Sequence, residues 1–430
     1  MNVEEALALV DDLLQPQRLT TLQETIFREC WEGRTYLQIA ENSDYDADYI
    51  RVVGSRLWQM LSEACQERVT KNNFRAILRQ QYRTRTVTNL PLELPNGPVA
   101  ATSKFYIERP PIEEICRQEI HKPGALLRIK GSRNMGKESL LWRIVAETKS
   151  EYYTIILDLQ QADRSIIENF ARFTRWFFAN LCSMLKLENT IDEYWDEDLG
   201  IKVSCTAYFQ SYILEHLDRP LVLAINKLHL IFEYVEVAQE FLPLLRFWHE
   251  EANNIPLWQN LRQIVIQSTE SYVPLNFNQS PFNVGLPVVL PKFNREQMME
   301  LAQKHQLNWN NDSGAEKLTS LMNLIGGHPH LARLAFYHLA KYDLSLTQLI
   351  AEAPSETGIY SDVLRYYLVI FYNNPELAEA FKQVIVAETP IQLETILGYR
   401  LESLGAIELQ GNKAVPSCQL YSLYFKDRLS

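Results

Sequence analysis

The stretch "GSRNMGKE", residues 131 to 138, is the part of this chain with the clearest chemistry. Glycines at positions 131 and 136 followed by Lys137 are spaced as in a phosphate-binding loop. Such a loop works because glycines let backbone N–H groups converge on phosphates at a helix N-terminus, while the lysine adds charge. The residues assigned to that role are Gly131, Arg133, Asn134, Gly136, Lys137, Glu138 and Ser139. A working loop needs a Ser or Thr hydroxyl after the lysine to hold magnesium, and Glu138 stands there. Ser139 does not replace it, because one step along a helix turns a side chain by about 100°.

A hydrolase also needs an acidic pair at the end of a buried strand, an Asp to steer magnesium and a Glu to polarise water. The run "PLVLAINKLHL" ends instead in Asn226 and Lys227. Three departures at one site predict a loop that has lost hydrolysis, with no catalytic residue and no bound metal. The expected ligand is at most ATP or ADP without magnesium. The gain of an acid at 138 and a base at 227 predicts an ion pair, Glu138 with Lys227 or with Lys137. Ser268 and Thr269, which end the run "RQIVIQ", are sensor candidates for a terminal phosphate, or simply a strand end. Pro329 in "GGHP" would lie against an adenine, or would only start a helix after a glycine turn. His328 and His330 alternate without companions and do not make a zinc site.

The elements that must hold these residues alternate. "ALLRIK", "YYTIILDL", "PLVLAI" and "RQIVIQ" are short apolar runs separated by amphipathic helical stretches such as "IIENFARFTRWFFANLCSML". That order predicts an α/β fold with a parallel sheet covered on both faces, a phosphate-loop NTPase core over residues 111–293. Residues 1–85 read as helices, and the spacing of Ile50, Val53, Leu57 and Leu61 after the turn "ENSDYD" gives the order of a helix-turn-helix domain. Residues 86–110 form a proline-rich connector, and 294–355 a helical lid. The last segment, 356–430, closes with two short strands around "GN", as a winged helix does.

The 430 residues carry a net charge of −11, which argues against nucleic-acid binding over the whole surface. No run of apolar residues is long enough for a membrane span, the start of the chain is not a signal peptide, and six scattered cysteines fit free thiols in the cytoplasm.

The chain resembles AAA-like signalling proteins of the STAND type with an amino-terminal vWA-MoxR-associated helix-turn-helix domain, best known from cyanobacteria. The similarity is carried by "CWEGRTYLQIAENSDYDADYIRVVGSRLWQMLS", "SKFYIERPPIEEICRQEIHKPGALLRIK", "STESYVPLNFNQSPFNVGLPVVLPKF", "GGHPHLARLA", "GIYSDVLRYYL" and "CQLYSLYFKDRLS". It implies a nucleotide-switched scaffold, and its loop roles map onto Gly131, Gly136 and Lys137 but not onto Glu138, Asn226 or Lys227.

The reading is therefore a non-catalytic regulatory protein acting through protein partners. Two alternatives stand beside it. One is a transcriptional regulator binding DNA through residues 46–64, where Arg51 and Arg56 face Asp46, Asp48 and Glu63. The basic residues Arg68, Lys71, Arg75, Arg79, Arg83 and Arg85 would assist it if 68–83 formed one helix. The other is a slow nucleotide-switched ATPase.

Overall fold

The computed structural model describes residues 3–14, 18–65, 67–78, 92–269, 283–342 and 344–429. The chain divides into two compact units, residues 1–92 and 93–430.

The first unit is helical: α1 (Val3–Leu14), α2 (Thr21–Trp31), α3 (Tyr36–Glu41) and α4 (Ala47–Cys65). Capping boxes set the starts of α2 and α3, with Thr20 exchanging bonds with Gln23 and Thr35 with Gln38. Ile26, Phe27, Ile50, Leu57, Leu61 and Phe74 close a core made of this unit's own residues. Phe74 packs edge-on to Phe27 at 5.4 Å and beside Trp58 at 4.7 Å. The single helix from 68 on which the DNA alternative depends is not formed over residues 68–73. Asn73 Oδ1 accepts from the Thr70 amide (2.6 Å) and hydroxyl (2.9 Å), which makes a turn, and helix begins only at Phe74. Arg79, Arg83 and Arg85 lie outside the described residues. Because the core is self-contained, a fragment of residues 1–85 is expected to fold alone. Its circular dichroism should be helical with cooperative melting, and a coil spectrum would contradict the boundary.

The second unit is built on a five-stranded parallel sheet in the order β2–β3–β4–β1–β5. The strands are β1 (Leu126–Gly131), β2 (Tyr153–Asp158), β3 (Leu221–Asn226), β4 (Leu261–Ser268) and β5 (Leu286–Val289). Alternate residues feed opposite faces. Leu221, Leu223 and Ile225 enter a core with Phe177, Phe241 and Trp248, while Val222 and Ala224 pack with Leu127, Ile129 and Ile144. β3, buried at every position, is the middle of this double-sided packing. β5 is an edge strand beside β1 that sequence reading did not identify. It is four residues long and contains Pro287, which an edge tolerates and a central strand does not.

Helix α5 (Ile112–Ile120) precedes the sheet and α6 (Lys137–Thr148) follows β1. Beyond the sheet come the lid helices α7 (Arg295–Lys304), α8 (Asp312–Ile325), α9 (Pro329–Lys341) and α10 (Leu346–Glu352). The winged-helix segment consists of α11 (Ser361–Asn373), α12 (Pro375–Val386), α13 (Thr395–Leu404), the antiparallel hairpin β6–β7 (Ile407–Gln410, Lys413–Pro416) and α14 (Gln419–Phe425). Lid and winged helix share one core, in which Leu324, Leu331 and Phe336 pack with Tyr360, Phe371 and Tyr424. No described helix is long and apolar enough to cross a membrane.

Candidate functional site

The end of β1 turns through Asn134 (φ 59°) and Gly136 (φ 94°) into α6. Gly136 is required twice over. Its backbone is left-handed, and a Cβ there would lie 3.0 Å from Arg109 Nη2. Lys137 Nζ donates to the carbonyls of Gly131 (2.9 Å) and Ser132 (2.7 Å), bracing the loop. Ser139 Oγ accepts from the amide of Val99 (2.9 Å), which ties the connector to the first turn of α6. Arg133 lies over the ring of Tyr366, 4.2 Å from its centre.

The predicted ion pair between Glu138 and Lys227 is replaced by a relay. Asn226 Nδ2 donates to Glu138 Oε1 (3.3 Å) and Asp158 Oδ2 (3.1 Å). Lys227 Nζ, its backbone at a φ of 57°, reaches Asp158 Oδ2 (3.0 Å) and Gln160 Oε1 (2.5 Å). The parallel register pairs Asp158 with Asn226 across β2 and β3, so the partner of Lys227 comes from the neighbouring strand and not from the loop. Lys227 and Asp158 are both about a quarter exposed, at 28% and 24%. Their coupling in a double-mutant cycle of Asp158→Asn with Lys227→Met should therefore be about 1 kcal/mol. A coupling of zero would mean the contact contributes nothing to folding.

The two sensor candidates separate. Ser268 is buried and faces the cavity beside the loop, and its amide donates to His229 Nδ1 at 3.2 Å. Thr269 turns away, its hydroxyl donating to the carbonyl of Ser403 at 2.5 Å. Pro329 begins α9, buried, and lines the same cavity.

That cavity measures about 480 Å³, within the range of small-ligand sites. Its walls bring together the loop, the ends of β3 and β4, the connector (Val99, Tyr106, Ile107) and the lid (Leu301, Pro329, Arg333). Among the described residues five cations line it, Arg109, Arg133, Lys137, Lys227 and Arg333, against one carboxylate, that of Glu138. An acidic chain thus gathers positive charge around one loop, the arrangement a polyphosphate requires. Burial, reinforced by Lys137 and Lys227, pushes the His229 imidazole down to about 4. Burial also lowers His330 to about 4, with Arg333 and Arg133 adding to the effect.

Sequence reading missed Arg109, His229 and Arg333. Arg109 is 3% exposed, donates to the carbonyl of Met135 (2.7 Å) and lies over the Phe293 ring. Arg333 is 7% exposed and pairs with Glu93 at 3.2 Å. Arg109 Nε, Arg333 Nε and Ser268 Oγ are buried without hydrogen-bond partners, and all three residues line the cavity. The signals were slight: an arginine ahead of the proline pair in "YIERPP", and an arginine one helical turn beyond Pro329. Among the described residues no group of three or more His, Cys, Asp or Glu side chains is placed to hold a metal.

Residues 94–427 match the AAA-like domain family, and residues 1–81 match the vWA-MoxR associated protein N-terminal HTH family. No curated protein matches the chain. Among solved structures, the Walker-type ATPase PABY2304 of Pyrococcus abyssi is similar with a TM-score of 0.53 and 13% identity, over 79% of this chain and 99% of that one. The Aeropyrum pernix ORC2 protein, solved as ADPNP-ADP complexes, has a TM-score of 0.45 and 14% identity, over 76% of this chain and 96% of that one.

Proposed function

We propose that this chain, which belongs to the AAA-like domain family, is a regulatory protein that binds ATP or ADP without hydrolysing it and acts through protein partners. Its scaffold is of the STAND type, with the metal-binding and water-activating positions of the phosphate loop and acidic strand given up. The observation that carries this reading is the Asn226 amide between Glu138 and Asp158, with the Lys227 ammonium on Asp158. A magnesium ion in that place would have to displace two donors from the carboxylates it needs. A lysine in place of the glutamate cannot take a proton from water while it is charged.

The residues present fit the nucleotide better than they fit the metal. Buried donors without partners at Arg109 and Arg333 call for an acceptor that the described residues do not supply. The loop amides and Lys137 would hold the phosphates. The apolar side chains of Phe105, Ile107, Phe293 and Leu301 would enclose the base.

Partner binding is assigned to the helix-turn-helix unit. Tyr45, in the turn before α4, stacks on Tyr49 at 5.5 Å, and Leu37 of α3, Tyr45, and Tyr49 and Val52 of α4 are each between 46% and 62% exposed. Three of the cations nearby are engaged within the unit. Arg51 pairs with Asp48 at 2.7 Å, Lys71 lies over the Tyr36 ring, and Arg75 donates to the carbonyl of Cys30. That reduces the charge offered to phosphates, and the exposed aromatic and aliphatic side chains favour a protein surface over DNA.

Titration of the purified chain with ATP and ADP, with magnesium and then with EDTA, tests the reading. Affinity should be the same in both media within about threefold, and Lys137→Ala should abolish binding. ATP turnover should not exceed that of Lys137→Ala. Turnover that vanishes in that variant would establish the slow ATPase instead.

A further inference from the structure

His229 lies three residues past the end of β3 in the 3-10 turn Leu228–Glu233, and it lines the cavity. Its Nδ1 is 3.2 Å from the amide nitrogen of Ser268. A backbone amide can only donate, so Nδ1 must carry the lone pair. In the neutral ring the proton then sits on Nε2. Burial and the neighbouring lysines hold the ring in that neutral form, with its pKa near 4. His229 therefore presents one N–H donor of fixed identity.

That donor makes no hydrogen bond to a described residue. Lys137, Lys227 and Arg133, all close enough to lower its basicity, are themselves donors. The nearby carboxylate of Asp158 is committed, one oxygen to Asn226 and Lys227 and the other to the amide of Gln160 (2.9 Å). A second group in the same position shares the condition. Ser268 is 7% exposed, faces the cavity, and its buried Oγ has no partner. Two linked, neutral hydrogen-bonding groups set among cations match an anionic oxygen.

We propose that His229 Nε2–H, beside the sensor candidate Ser268, donates to the terminal phosphate of a nucleoside triphosphate, and that through this donor the site distinguishes triphosphate from diphosphate without a metal ion. The proposal rests on the nucleotide-binding reading above. The terminal phosphate is the group of choice because of where the pair stands. Most of the apolar lining residues, Phe105, Ile107, Phe293 and Leu301 among them, belong to the connector, to the segment after β5 and to the lid, and only Met135, Leu230 and Ile266 among the described residues line the side where His229 and Ser268 stand at the carboxyl ends of β3 and β4. Ser268 is level with Gly131 in the sheet register, at the mouth of the loop. A phosphate chain running from the base along the loop would bring its far end to this pair. The bond from the Ser268 amide fixes the orientation of the His229 ring before any ligand arrives.

The test is calorimetric titration of the full chain with ATP and with ADP in EDTA, for the wild type, His229→Leu and His229→Gln. The wild type should prefer ATP by about tenfold, and His229→Leu should lose about tenfold in ATP affinity, from a hydrogen bond to a charged group. ADP affinity should change less than about twofold, which also shows that the variant is folded. His229→Gln keeps an N–H donor at nearly the same reach and should regain most of the ATP preference. Equal losses for ATP and ADP in His229→Leu, or no loss for ATP, would overturn the donor assignment while leaving nucleotide binding in place. A wild type that binds neither nucleotide would remove the nucleotide reading and this proposal together.

Discussion

Lowering the pH from 7 to 5 should remove stability from residues 93–430, and about 4 kcal/mol of the loss should come from two histidines buried in neutral form, His305 and His328. His305 is fully buried between Phe105 and Phe336, with Nδ1 donating to the carbonyl of Leu301 and Nε2 without a partner. Burial, the largest cause, pushes its pKa down from 6.5 to about 4. His328, 8% exposed, falls from 6.5 to about 3 through burial, helped by His330 and Lys292. The folded pKa values lie below the unfolded one, so between them the unfolded chain binds more protons. Stability is then complete above pH 6.5 and is lost as the pH falls through that value toward 4. Each ring forfeits about 2 kcal/mol by pH 5, a large share of the 5–15 kcal/mol typical of a folded protein. Urea unfolding at pH 7, 6 and 5 measures the loss. Replacing both rings with Gln should reduce the loss over that interval by about 4 kcal/mol, leaving the part that His229 and His330 contribute. A chain equally stable at pH 7 and pH 5 would show that these rings are not buried neutral.

Gly327→Ala should destabilise the chain by about 3 kcal/mol or more, and it should weaken nucleotide binding at the same time. Gly326 and Gly327 carry φ values of 60° and 74° between α8 and α9. A left-handed backbone costs a residue with a Cβ about 1–2 kcal/mol. At Gly327 the contact adds to this, because a Cβ would lie 2.3 Å from the carbonyl oxygen of Phe293, a backbone atom that cannot swing aside. The amide of Phe293 in turn donates to the carbonyl of Gly327 at 2.8 Å. This paired hook sets the position of the first turn of α9, from which Pro329, His330 and Arg333 line the cavity. Gly411→Ala is the matched control. It has a φ of 65° in the hairpin turn with nothing within 4 Å of its Cβ, so it should cost about 1 kcal/mol and leave binding unchanged. Thermal unfolding and ATP titration of both variants compare the two. Equal effects at the two glycines would show that backbone strain, and not the Phe293 contact, sets the cost.

Much of the architecture was legible because its causes are local. Four of the five strands are short apolar runs bounded by polar residues, and burial on both faces is what makes such runs. The loop needed only glycines, a lysine and a preceding strand. The helix-turn-helix order followed from spacing and from caps a few residues apart. Within the site, the replacements at Glu138, Asn226 and Lys227 could be read as a change of sign.

Their partners could not be read. Lys227 meets Asp158, 69 positions away in sequence, because β2 lies next to β3 in a register that opposes Asp158 to Asn226. A short sequence pattern specifies that a strand exists, but the order of strands in the sheet decides which residues end up side by side. Arg109, His229 and Arg333 are brought to one cavity from the connector, the turn after β3 and the lid in the same way. β5 was hidden because an edge strand has one neighbour and fewer buried positions, which weakens the pattern that reveals a strand. By itself, then, the amino-acid sequence determined the elements, the loop and the residues that depart from a hydrolytic site. The tertiary structure alone decided which charges neutralise one another there and which donors remain for a ligand, since contacts between distant segments depend on the packing of the whole sheet.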